Sequence, residues 1–326
     1  MGTDLRVFVR WGVRDGVGGP RPFVGWSEDE AFLSLGVGEP PRSDAGDSAP
    51  GDDDPNHEPA IGTGSDGRRL DGGHGTAMTA SGSRSVSIII PTYNERENIE
   101  RVVDRCQAAL DGYRFEIVVV DDDSPDKTWQ LVADTYDGAE TVRVVRRTEE
   151  SGLATAVSRG FDEATAELCA VIDADLQHPP EKLPALVAAF DTGADIVIGS
   201  RHVAGGGIEN WSLARRLVSR GAMAIAKLAL PPTRGISDPM SGFFAIRRGV
   251  IDDVALAPTG YKILLEVLMK CEYDRIVEVP YVFTERERGE SKLTREEYLG
   301  FLAHVCDLRH NGWGGREIPV AVESRR

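Results

Sequence analysis

Lysine is almost missing from this chain. Six lysines (Lys127, Lys182, Lys227, Lys262, Lys270 and Lys292) stand against 31 arginines, and the formal net charge of the 326 residues is −16. So acidic a protein offers no broad basic face, which excludes nucleic acid as a partner on electrostatic grounds. The same balance resembles that of proteins built for high salt, where surface carboxylates hold water. That is a statement about solubility and not about fold. Paired cysteines are missing too. Cys106, Cys169, Cys271 and Cys306 form no C-x-x-C pair, so neither a zinc site nor a redox motif is indicated. Cys106 and Cys169 fall in apolar patterns and read as small core residues, consistent with a reducing, cytoplasmic setting. No run of about 18 apolar residues occurs, so no membrane-spanning helix is expected. The N-terminus has no charged stretch followed by an apolar core of the kind that directs secretion.

Two compositions divide what is there. Residues 1–84 hold 17 glycines, 7 prolines and no lysine. The stretch Asp44–Asp54 is acidic and mixed with Pro, Gly and Ser, and Ile61–Ser83 is similar, so neither can offset its ordering entropy by burial. We expect a disordered or mis-assigned extension over 1–84, with local structure limited to the apolar patches Val7–Val9 and Ala31–Val37. A catalytic domain is expected over 85–308, with a tail over 309–326.

From Ser85 the pattern is regular. Apolar runs at Val86–Ile90, Phe115–Val120, Thr141–Val145, Leu168–Ile172 and Ile196–Gly199 read as buried strands. Between them, apolar residues recur at helical spacing, as in Ile99, Val102, Val103 and Cys106. Asp126 and Ser151 are placed to cap the second and third helices. This β-α alternation with short loops predicts an α/β fold, a mostly parallel sheet covered by helices on both faces. Beyond Gly199 the spacing predicts helices over 212–230, 261–270 and 294–308. A strand is expected over Ile276–Phe283, where Pro280 points to a sheet edge.

The chemistry-bearing residues sit at the ends of these strands, where open α/β sheets bind ligands. The glycine fingerprint of dinucleotide-binding folds is absent after the first strand, and so is the P-loop pattern. Pro91-Thr92-Tyr93-Asn94-Glu95 stands there instead. The second strand ends in Asp121-Asp122-Asp123, and the fourth runs LCAVIDADLQH over 168–178. In extended chain, Asp173, Asp175 and Gln177 share one face. Three oxygen-bearing side chains aimed one way suit a hard divalent cation that shares its ligands with substrate phosphates. Tyr93 offers a flat face to a base, and Asp121 or Asp122 can accept from a base N–H. The pattern predicts a nucleotide-sugar site made from acids and a cation.

Eight motifs in order carry a resemblance: IIIPTYNERENI (88–99), EIVVVDDDSPDKT (116–128), GLATAVSRGF (152–161), VIDADLQHPPE (171–181), IVIGSRHVAGG (196–206), SDPMSGFFAIRR (237–248), GYKILLE (260–266) and ERERGESKL (285–293). With them, residues 85–308 resemble inverting glycosyltransferases of family 2 with the GT-A (Rossmann-like) fold, and among these the dolichyl-phosphate mannose synthases. The resemblance implies that Pro91, Tyr93, Glu95, Val119 and Asp121 or Asp122 contact the nucleotide. It implies that Asp173, Asp175 and Gln177 hold Mg²⁺ or Mn²⁺ and the diphosphate, with Asp175 and Arg201 nearest the chemistry. Arg201, Lys262, Arg286 and Lys292 would contact the sugar phosphates or the acceptor phosphate, and Asp238 and Ser241 would either lie near the acceptor or simply shape a turn. The implied activity is transfer of a hexose, mannose from GDP-mannose or alternatively glucose from UDP-glucose, to a polyisoprenyl phosphate, with another family-2 glycosyltransferase activity as the further alternative.

A lipid acceptor implies a membrane surface. The amphipathic, Arg-bearing helix over 212–230 suits an interface, although an ordinary core-facing helix has the same pattern. Because the chain ends at Arg326 without the membrane helices of many relatives, peripheral docking on the cytoplasmic face, or use of a membrane-protein partner, is expected. Ordered pattern starts so abruptly at Ser85 that we expect translation to begin at Met78. The intact mass of the native protein should then match a chain starting there, and a longer chain would overturn that start.

Overall fold

A computed structural model of the chain describes residues 9–12, 21–24, 84–257, 262–284, 295–311 and 321–324. It divides into two units, residues 1–73 and 74–326. In the first, β1 (Val9–Gly12) and β2 (Arg21–Val24) pair antiparallel, with Val9 opposite Val24. Val9, the last residue of one expected apolar patch, opens β1; the patch Ala31–Val37 lies outside the described residues.

The second unit begins with the expected alternation: β3 (Ser85–Thr92), α1 (Ile99–Ala109), β4 (Arg114–Asp121), α2 (Thr128–Thr135), β5 (Val142–Arg146), α3 (Leu153–Glu163), β6 (Leu168–Val171), α4 (Leu183–Ala189) and β7 (Ile196–Ser200). A short β8 (Gly207–Ile208) and the long α5 (Leu213–Ala229) follow. Then come β9 (Phe244–Arg247), α6 (Arg248–Ile251), α7 (Ile263–Lys270), β10 (Arg275–Pro280), β11 (Val282–Phe283), α8 (Arg295–Asn311) and β12 (Ala321–Ser324).

Eight strands form one sheet in the order β12-β10-β7-β9-β6-β3-β4-β5. All pairs are parallel except those of β9, which runs antiparallel between β6 and β7. β8 and β11 pair separately. Register sets Thr92 opposite Asp121, and Asp121 opposite Arg146, so the polar ends of β3, β4 and β5 lie side by side.

The strands' two-residue period splits the core across the sheet. Ile88 and Ile90 pack with α1 residues Ile99, Val102 and Val103 on one face. Ile89, between them, packs with Val157 and Phe161 of α3 and Ile263 and Val267 of α7 on the other. Cys106 and Cys169 are fully buried in these clusters, and burial pushes both thiols up to about 12. α3 lies close on β3 because Gly160 faces Ile89. A Cβ there would sit 2.3 Å from Ile89 Cγ2, a clash that packed interiors cannot absorb without strain. A third cluster joins α5, α7 and α8 through Ala226, Leu265, Phe301 and Val305.

Several expectations need correction. The run over 276–283 is two strands, and β10 is interior, between β7 and β12. Pro280 is tolerated because it is the last residue of β10, opposite Ser200, and the next ladder donor is the N–H of Tyr281, 3.1 Å from Ser200 O. β9 was not anticipated; a four-residue strand takes its identity from the slot between β6 and β7 and not from its own period. Ser151 does not cap α3: Gly152 holds that position. Asp126 likewise stands one residue before the N-cap position of α2, which Lys127 holds, although its Oδ1 accepts from the Thr128 N–H (2.9 Å); Ser212 is the N-cap of α5, its Oγ accepting from the Arg215 N–H (3.3 Å).

Candidate active site

The C-terminal ends of β3, β4 and β6 converge, and hydrogen bonds sort their carboxylates. Asp121 is fully buried. It accepts from Thr92 Oγ1 (2.8 Å), from the Ser124 N–H (2.8 Å) and from Ser124 Oγ (2.7 Å). It therefore ties β3, β4 and the following turn together, and its oxygens are spent within the protein. Asp122 turns the other way. It accepts from Arg147 Nε (2.7 Å) and the Gly152 N–H (2.7 Å) while still lining a cleft. Arg147 also donates to Thr155 Oγ1 (3.1 Å) and Gly152 O (3.1 Å), so one buried guanidinium fixes the loop over 147–153. Of the two carboxylates left open by the sequence, only Asp122 reaches the cleft. Val119 does not reach it either: its side chain is wholly inside the core.

The segment after β6 departs from extended geometry. Residues 174 and 175 turn, and Leu176 adopts a φ of +62°. The two-residue alternation that placed Asp173, Asp175 and Gln177 on one face therefore does not apply. The turn itself brings all three to the cleft. Asp175 Oδ1 accepts from the Gln177 N–H (3.1 Å), closing the turn. Gln177 Nε2 donates to Thr284 O (3.1 Å). That orients the amide and leaves Oε1 as the end available to an electrophile. Two carboxylates and a carboxamide oxygen are the donor set a hard divalent cation takes.

His178 closes this segment. It is buried against Phe243, whose ring is stacked at 5.4 Å and 13°, and edge-on to Tyr281 and Phe283. Burial pushes its imidazole down to about 4, outweighing the upward pull of the Asp175 carboxylate, so the ring is neutral.

Arg201 and Lys262 form the cationic side of the cleft. Arg201 meets the fully buried Asp238 in a bidentate pair, Nε to Oδ2 at 2.6 Å and Nη2 to Oδ1 at 2.7 Å, and its own N–H donates to Oδ2 at 3.1 Å. Burial works against both charges. The hydrogen bond and charge of each partner outweigh it, raising the Arg201 pKa and lowering that of Asp238. The Ser237 and Asp238 N–H groups donate in turn to buried Glu278 on β10, at 2.8 and 3.0 Å. Asp238 is thus occupied in holding Arg201, and Ser241 bonds within its own turn, its N–H to Asp238 O and its Oγ to Phe243. Arg286 and Lys292 lie outside the described residues.

The cleft has a volume of about 900 Å³. Pro91, Tyr93 (46% exposed) and Glu95 line one part of it, Asp173, Asp175 and Gln177 another, and Arg201 and Lys262 a third. Sequence reasoning missed Arg147, His178, Trp211, Arg215 and Phe283. A signal existed for His178, which lies inside the motif over 171–181. Arg147, Trp211, Arg215 and Phe283 lie outside the quoted motifs, and the fold brings them to the cleft.

The family described as glycosyl transferase family 2 matches residues 87–255. A dolichol-phosphate mannosyltransferase of Pyrococcus furiosus is 53% identical over 223 residues, covering 68% of this chain and 63% of the relative. A polyprenol monophosphomannose synthase of Mycolicibacterium smegmatis is 37% identical, covering 77% of this chain and 94% of the relative. Among solved structures, glucosyl-3-phosphoglycerate synthase from Mycobacterium tuberculosis, in complex with Mn²⁺, UDP-glucose and phosphoglyceric acid, has a TM-score of 0.55 at 21% identity. That match covers 72% of this chain and 82% of that one, and the likeness is one of fold.

Because Arg201 is buried with its partner, Asp238→Asn should lower stability by about 3–5 kcal/mol near neutral pH. A carboxyl whose folded pKa is depressed stabilises above its unfolded pKa of about 3.9 and loses that effect as pH falls through the folded value. Urea titrations should therefore show the gap between native protein and variant narrowing below about pH 4.

Proposed function

Since the chain belongs to glycosyl transferase family 2, we propose that it transfers mannose, with inversion, from GDP-mannose to a polyisoprenyl phosphate. The observation that carries this reading is the meeting of Asp173, Asp175 and Gln177 with Arg201 and Lys262 in one cleft that also holds Tyr93 and Asp122. The names of the relatives at 53% and 37% identity support the sugar and the acceptor class.

Each group has a part. The Tyr93 ring supplies a stacking face for the base, and Asp122, oriented by Arg147 and Gly152, accepts from a base N–H. Asp173, Asp175 and the Oε1 of Gln177 would hold Mg²⁺ or Mn²⁺. Such a cation supplies positive charge to a departing diphosphate. The acceptor needs no activation by the protein, because a phosphate monoester is largely ionised at neutral pH. The work left to the protein is to align acceptor and sugar and to hold the attacking anion with Arg201 and Lys262. Asp238 keeps the Arg201 fork in place, and attack on the face opposite the leaving group inverts the anomeric carbon.

The acceptor's lipid tail requires a surface, and α5 supports one. Ala222, Met223, Ala226 and Ala229 pack inward, whereas Leu213, Leu217 and Leu228 are 84%, 72% and 80% exposed. At about 100° per residue these three leucines fall within about 60° of one another. Arg216, Arg220 and Lys227 flank them, the arrangement of a helix lying in an anionic interface. Leu299 and Leu302 of α8, which packs on α5, are also exposed. No helix among the described residues is long and apolar enough to cross a membrane. Peripheral attachment at the cytoplasmic face, where nucleotide sugars are supplied, completes the proposal.

Membranes supplied with labelled GDP-mannose should yield a labelled lipid, and Asp175→Asn should abolish it without loss of fold. Label entering lipid from UDP-glucose alone would overturn the choice of donor, and full activity in Asp175→Asn would remove the cation from the mechanism. Replacing Leu213, Leu217 and Leu228 by Gln should weaken sedimentation with anionic vesicles by roughly tenfold or more while leaving the melting temperature unchanged. Undiminished binding would place the membrane contact elsewhere.

A further inference from the structure

We propose that His178 is a positioning residue for the cation site: its aromatic-caged imidazole holds the main chain of Asp173 and so sets the carboxylate before any cation arrives. The inference rests on the reading of Asp173, Asp175 and Gln177 given above. Three rings enclose His178, with Phe243 stacked and Tyr281 and Phe283 edge-on, so its orientation is determined by packing. The Asp173 N–H points at Nδ1 from 3.3 Å. That nitrogen therefore accepts and carries no proton. The Nδ1 also lies 3.5 Å from Asp173 Oδ2, which with an unprotonated Nδ1 is a close approach and not an ion pair.

The bond falls where it matters. β6 has ended at Val171, and the turn to Leu176 has not yet closed. Asp173 N–H is thus beyond the sheet ladder, and His178 supplies an acceptor at that point. Gly242 completes the mould, since a Cβ there would lie 3.2 Å from Asp173 Oδ2 and 3.3 Å from His178 Cε1. The backing of Asp173 is therefore built from two segments, 178 on its own turn and 242–243 at the entry to β9. A ring serving only to fill space would not require a nitrogen facing Asp173.

This distinction makes the role testable on the full chain, with fold checked by circular dichroism and Mn²⁺ affinity measured without donor by electron paramagnetic resonance. His178→Asn places Oδ1 where Nδ1 stood, and should keep Mn²⁺ affinity within about threefold. His178→Phe keeps the aromatic stack but removes the acceptor, and should lose about tenfold or more, the usual cost of removing a group that orients a metal ligand. Packing alone predicts the reverse order, and that order would overturn the proposal. If His178→Asn does not fold, wild-type affinity in His178→Phe overturns it on its own. Asp175→Asn separates the two levels of inference. Wild-type affinity in that variant would overturn the cation site itself, whereas loss there with none in His178→Phe overturns only the role of His178.

Discussion

β9 enters the sheet against the direction of its neighbours, and the cleft depends on that entry. Wedged between β6 and β7, it carries the segment 238–243 to the end of the sheet where the polar strand ends gather. Phe243 O accepts from the Gly199 N–H at 2.8 Å, locking the segment to β7. From there Asp238 reaches Arg201, Phe243 stacks on His178, and Gly242 leaves room for the Asp173 carboxylate. An all-parallel sheet would bring β6 and β7 together and leave no backbone in that place. One antiparallel strand thus supports the cationic and the anionic side of the same cleft.

Buried charge is the second recurring theme. Arg147 with Asp122, and Arg201 with Asp238, are almost fully enclosed pairs. Such pairs contribute little net stability over apolar replacements, because desolvation offsets their attraction. What they contribute here is direction. The fork of Arg147 sets Asp122 and the loop over 147–153; the carboxylate of Asp238 sets Arg201. Arginine suits this use because its planar fork donates two bonds in a fixed direction: that of Arg201 engages both oxygens of Asp238, and that of Arg147 converges on Oδ1 of Asp122. The scarcity of lysine leaves such pairing almost wholly to arginine.

Much of the first half of the domain was legible from residue order. β3 to β7 and the helices between them arise from apolar periodicity, since strands buried on both faces need continuous apolar runs and helices need a stripe. Asp173, Asp175 and Gln177 were legible by type and place as oxygen donors at a strand end, and Arg201 and Lys262 through the motifs around them; the fold gathers all five along one cleft. Asp121 and Asp122 were not separable, because adjacent carboxylates at a strand end differ only in which way the chain then turns. Val119 reads as buried strand, and is. The interior place of β10 was hidden by Pro280, whose missing donor matters only if it falls inside the ladder.

Residue order alone determined the elements of the parallel half and the acidic strand ends, because these follow from local pattern and side-chain chemistry. Tertiary structure decided which oxygens face the cleft. The cage around His178 and the insertion of β9 require contacts between residues far apart in the chain, and the turn at Leu176 and the donors to Asp121 join local bonds to distant ones with Thr284 and Thr92. Such contacts leave no periodic trace, since each is settled by space left between elements and not by the residues next in line.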